Sequence, residues 1–127
     1  MANIPPVELP SPDWMVLRGT HVYQWANITT ADTPLPLDLG SHSDRSFQVS
    51  GTLSGATVKA AGTNDAAVPY APVQDGADND IAVSSYPSGF SSRIEIIAPA
   101  TRYLKPVIVG GDGSTSVTVT LYVRRNA

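Results

Sequence analysis

Punctuation by proline and glycine is what most limits this chain. Eleven prolines and ten glycines are spread over 127 residues, and Ser, Thr and Asp fill much of the space between apolar runs. Proline has no amide donor and clashes with the preceding helical turn, while glycine loses the most backbone entropy on ordering. No window sustains helical spacing for three turns. Short β-branched runs with period-two alternation remain between the breaks, which is the pattern of an all-β sandwich or barrel.

The length suits one domain. Size scaling gives a folded surface of roughly 6,500 Å² against about 19,000 Å² for the unfolded chain, so one hydrophobic core is sufficient. Cysteine is absent, which excludes disulfides and thiolate metal sites and fits synthesis in a reducing cytoplasm. The formal charge is −3 with 15% charged residues. The cations are dispersed, with only Arg124 and Arg125 adjacent, so the basic patch of a nucleic-acid binder is missing. Residues 1–12 have neither a basic start nor an apolar run and do not read as a signal peptide. No apolar stretch approaches a membrane span.

Four prolines within MANIPPVELPSP make residues 1–12 either an extended arm, expected to lie on a surface and not to join a sheet, or a disordered tail. Residues 13–127 form the sandwich domain. Trp14 to Arg18 reads as a short strand, and Thr20 to Ile28 as another with His21, Tyr23, Trp25 and Asn27 on one face. Ser41 to Asp44 reads as a turn. Arg45 to Leu53 places Phe47, Val49, Gly51 and Leu53 on one side, and Ser54-Gly55 leads into Ala56, Val58 and Ala60 as a hairpin.

Residues 62–92 are the least regular, with turns at 62–65 and 75–80 and a short strand holding Ile81 and Val83. Arg93 to Ile97 puts Ile94 and Ile96 on one face. A second hairpin, Arg102 to Arg125, turns at Gly110 to Ser114. Its last strand points Val117, Val119, Leu121 and Val123 inward, and Thr118, Thr120, Tyr122 and Arg124 outward. Pro106 marks its first strand as an edge or a bulge. The total is seven to nine short antiparallel strands in a two-sheet sandwich, of which the jelly roll is one form.

Residues of catalytic type are present without catalytic spacing. Asp75, Asp78 and Asp80 lack the ligand order of a calcium loop and read as a solvated turn. Ser41, His42, Ser43 and Asp44 are neighbours on an extended chain, so successive side chains point to opposite faces and form no triad. Gly110 to Gly113 lacks the lysine and helix of a phosphate loop. The expectation is a non-enzymatic protein with no cofactor and no metal. Trp14, Tyr23, Trp25 and Tyr86 serve either as core or as the platform of a carbohydrate-binding module. Arg102 and Tyr103 are either flank and core or interface anchors.

The segments SDRSFQVSGT (43–52), GTND (62–65) and RYLKPVIVGGDGSTSVTVTL (102–121) resemble small virion proteins of tailed bacteriophages, the head decoration or cement proteins. The resemblance runs from Trp25 onward and covers about 100 of the 127 residues. It leaves out the arm, and the 66–92 region departs from it. It implies a virion protein of the head surface, made in the host cytoplasm, that stabilises the shell by binding the major capsid protein. It also implies self-association, with a homotrimer favoured over a homodimer. A tail, baseplate or head–tail connector role is the alternative. The interface residues expected on this reading are Pro5, Pro6, Val7 and Leu9 of the arm, with Arg102, Tyr103 and Pro106; nucleic acid and membrane are not expected partners.

The inward assignment of the last strand is open to test. Val119→Asp should abolish soluble expression. An unpaired charge in a core costs several kcal/mol, against a total stability of about 5–15 kcal/mol. A variant as stable as wild type would refute the assignment.

Overall fold

The computed structural model describes residues 2–40 and 42–125. In chain order its elements begin with β1 (Asn3–Ile4), β2 (Val7–Glu8), the five-residue helix α1 (Asp13–Leu17) and β3 (Thr20–Ile28). There follow β4 (Thr33–Pro34), β5 (Leu37–Asp38), β6 (His42–Thr52), β7 (Ala56–Thr63) and β8 (Ala71–Pro72). The last are β9 (Ala82–Val83), β10 (Ser92–Ile97), β11 (Tyr103–Gly110) and β12 (Ser116–Arg125). The domain is an all-β sandwich. The twelve strands among the described residues exceed the seven to nine expected because several are two-residue pieces, too short to show alternation.

One sheet has the order β10-β6-β12-β3-β2, and the other β5-β11-β7-β8 with β9 also on β7. β1 and β4 make a small parallel pair. The main pairings are nested: β3 with β12, β5 with β11, β6 with β10, and β7 with β8. A long antiparallel ribbon folded in this way, with successive pairs falling into alternate sheets, is a jelly roll.

Nesting corrects both expected hairpins. β6 and β7 lie in different sheets, as do β11 and β12. Leu53 to Gly55 and Gly111 to Thr115 are therefore arches that carry the chain across the core. Alternation reports which face of a strand is buried, not which strand lies beside it. Because every one of these strands buries one face, an arch and a hairpin look alike in sequence.

Three further expectations change. Trp14 to Leu17 is helical, started at Asp13 after Pro12, and its Trp14 and Leu17 are exposed. The arm is partly a strand: β2 pairs with β3, Leu9 donates its amide to the Val22 carbonyl, and Thr33 donates to that of Ala2. Proline at positions 5, 6 and 10 leaves Val7 to Leu9 free to bond. His42 to Asp44 belong to β6, where an Arg124–Asp44 ion pair crosses from β12, whereas Ser41 lies outside the described residues.

Trp25, Ile28, Phe47, Val49, Val58, Leu104, Val117, Val119, Leu121 and Val123 are all fully buried. Trp25 and Ile28 share the core although they are three apart. A bulge allows it, since Val117 pairs with Ile28 and Val119 with Trp25. Asn27 takes φ +54° there and donates its amide to Thr118 Oγ1 at 3.1 Å. Asn27 is thus exposed, not inward with Trp25 as alternation predicts. The Trp25 indole N–H keeps its own partner, the Leu35 carbonyl, at 2.8 Å.

Pro106 sits opposite Ala60 of β7. The Ala60 carbonyl accepts from Val73 on the far side of β7, so this is a non-hydrogen-bonded pair. The Pro106 nitrogen faces the other way, where β5 has already ended after pairing with Tyr103 and Leu104. The ladder never needed that donor.

The two arches lock against each other at one end of the sandwich. Thr115 donates from Oγ1 to the buried Leu53 carbonyl at 3.0 Å, and Ser54 donates from Oγ to both carboxylate oxygens of Asp112 at 2.7 Å. Gly51 stands at φ +94°, and a Cβ on it would lie 2.5 Å from the Ser116 carbonyl oxygen. Gly55 has φ +84° with open space around it. Gly51→Ala should therefore cost roughly 2–4 kcal/mol in urea denaturation, and Gly55→Ala only about 1–2 kcal/mol. Equal losses would remove the argument from close approach.

Asp112 supplies a pH test. The Ser54 hydroxyl, then the Ser114 amide, hold its carboxyl below its ordinary value of 3.8. A carboxyl depressed in the folded state stabilises above its ordinary value and loses that contribution as pH falls through the folded one. Asp112→Asn should thus flatten the acid limb of the thermal midpoint below about pH 4. An unchanged acid limb would contradict this role.

Candidate binding face

The side chains of the five-stranded β10-β6-β12-β3-β2 sheet divide cleanly by alternation. Its inner face holds Phe47, Val49, Leu121, Val123 and Trp25. Its outer face carries two cross-strand rows: Ile94, Gln48, Thr120, Gln24, Val7 and, beside it, Ile96, Ser46, Tyr122, Val22. Tyr122 is 41% exposed, Val7 58%, Ile94 60% and Ile96 66%. Large apolar side chains thus stand at both margins, with Tyr122 between them.

Short polar residues fill the middle and are tied down. Gln24 donates from Nε2 to Thr120 Oγ1 at 3.1 Å, and Gln48 to Ser92 Oγ at 3.2 Å. Phe90, 71% exposed, leads into β10. The arrangement offers a firm, mostly uncharged surface suited to contact by shape and apolar area. Alternation placed Ile94 and Ile96 together and Tyr122 outward. Only the sheet order shows that they share one face with Val7.

The expected interface residues separate into two groups. Val7 and Leu9 lie on β2 and just beyond it, at the margin of the outer face, with Pro5 exposed and Pro6 half-buried before them. Tyr103 opens β11 of the other sheet and Arg102 precedes it, where Arg102 pairs with Asp38 at 3.3 Å and stacks 5.0 Å above the Tyr103 ring. Tyr103 is half-buried. Pro106 is buried and offers no surface, so its place in the interface set is corrected: the proline shapes an edge and cannot be a contact.

Arg45 is the residue that sequence reading missed. It is 4% exposed, at the end of the sandwich away from the arches. Its Nε donates to the His42 carbonyl at 2.9 Å, Nη1 to Thr101 Oγ1 at 3.2 Å and Nη2 to the Thr101 carbonyl. Burial pulls the guanidinium down to about 10, which leaves it charged at neutral pH. It thereby pins the β10–β11 connection to β6. Its parity with Phe47 and Val49 was the available signal.

Other polar groups singled out by the sequence have local partners. His21 meets Glu8 Oε2 at 2.9 Å and stands edge-on to His42, whose Nδ1 meets the Leu39 carbonyl at 2.9 Å. Asp75 Oδ1 accepts from the Ala77 and Asn79 amides within its own turn, and Asp80 accepts from Gln74. Trp25 is fully buried, and Tyr86 packs against the core with its hydroxyl donating to the Gly51 carbonyl at 2.8 Å, whereas Trp14 is exposed.

Comparison with protein-family models, with curated proteins and with solved structures finds no match to this chain.

Proposed function

We propose that this protein is a capsid decoration (cement) protein of a tailed bacteriophage, binding the outer surface of the head shell without catalysis. The observation that carries the reading is the outer face of the first sheet, where Val7, Tyr122, Ile94 and Ile96 stand in solvent on a firm β scaffold. Such a face suits a partner met over a broad area. Repetition by the symmetry of a shell turns modest single contacts into tight attachment. The resemblance of residues 43–65 and 102–121 to head decoration proteins supports the same reading.

Purified protein mixed with undecorated heads should bind them and raise the temperature at which they release DNA. Tyr122→Asp, in the middle of the face and away from the core, should weaken binding roughly tenfold or more while leaving the thermal midpoint of the free protein near that of wild type. Wild-type protein that ignores heads would overturn the proposal. Label confined to one vertex or to the tail of intact virions would replace it with a connector or tail role.

A further inference from the structure

The free edge of β10 carries an inference that stands apart from the capsid reading. β10 pairs with β6 on one side only, and no other described backbone group bonds to Ser92 through Ile97. Its unpaired groups can be identified by alternation across the sheet. Val22 accepts from Leu9 on the β2 side, so Tyr23 bonds toward β12 and Leu121 toward β3. Tyr122 then bonds toward β6, Ser46 back toward it, and Phe47 toward Glu95. Glu95 and Arg93 are thereby engaged with β6, and the amides and carbonyls of Ser92, Ile94 and Ile96 point outward. Ala98, of the same parity, donates outward to the Gln74 carbonyl at 3.1 Å, as this phase requires.

We infer that this edge pairs with the β10 of a second copy, antiparallel about a two-fold axis through Ile94. Strand edges with unpaired donors and acceptors are templates for such pairing, and this one is self-complementary. Centred on Ile94, the register sets Arg93 opposite Glu95 of the second copy and Glu95 opposite its Arg93. Ile94 meets Ile94, and Ser92 meets Ile96, each pair exchanging two hydrogen bonds.

Shifting the centre by one residue to Glu95 would set the two glutamates face to face and use the Ala98 amide, which is already engaged. Charge and free donors thus choose the same register. Within one chain Arg93 Nε lies 2.9 Å from Glu95 Oε1, so the second copy extends an existing ion pair into a four-charge cluster. The two five-stranded sheets become continuous.

Light scattering on the full chain across a concentration series should show the mass of two chains at the upper end. Arg93→Glu places like charges opposite each other twice and should raise the dimer dissociation constant about tenfold. The double exchange Arg93→Glu with Glu95→Arg should restore it. The chain has no cysteine, so Ile94→Cys introduces a single thiol that should oxidise to a covalent dimer, whereas Val109→Cys on the other sheet should not.

A monomer at every concentration overturns the inference. So does a trimer, or a double exchange that fails to restore dimers while remaining folded by circular dichroism. A dimer that does not bind heads leaves the inference standing and removes only the capsid reading.

Discussion

The fold depends on one strand being paired on both sides at once. β12 lies between β3, near the start of the sandwich, and β6, near its middle. Val117, Val119, Leu121 and Val123 bury one face of it completely. Until β12 arrives, β3 and β6 have no neighbour on that side and the core lacks its central row. Of the nested pairings, β3 with β12 joins the strands most distant in sequence and so carries the greatest cost of loop closure.

The two ends of the sandwich are closed by different means. At one, the arches interlock through Thr115, Leu53, Ser54 and Asp112, and Gly51 allows the backbones to approach. At the other, a buried cation does the work. Arg45 satisfies its donors with carbonyl and hydroxyl oxygens rather than a carboxylate. Removing it would leave the Thr101 and His42 carbonyls without their donor, a loss a surface arginine would not cause. Both closures act on the strand ends and leave the outer face of the first sheet unobstructed.

That face and its neighbouring edge come from the same arithmetic. In β10, Ile94 and Ile96 point outward while Arg93 and Glu95 point inward, the reverse of a simple amphipathic strand. An edge strand normally places charge where it discourages pairing. On the proposed two-fold register, Arg93 and Glu95 are spaced so that a second copy would present opposite signs, favouring association instead of blocking it.

Much of this was legible in the residues. Proline and glycine spacing excluded helices of three turns or more, and alternation identified the inward faces of β6, β7 and β12. It could not see the bulge at Asn27 or the helix at Asp13–Leu17, where local backbone geometry breaks the period. Nor could it tell arches from hairpins at Ser54–Gly55 and Gly111–Thr115. By itself the sequence determined class and facing, because burial of a strand face is written in every second residue. Which strands are neighbours, and hence that Val7, Tyr122, Ile94 and Ile96 share a surface, was decided only by the tertiary structure. Pairing partners in a nested roll lie far apart along the chain and are selected by the packing of the core, which no local window contains.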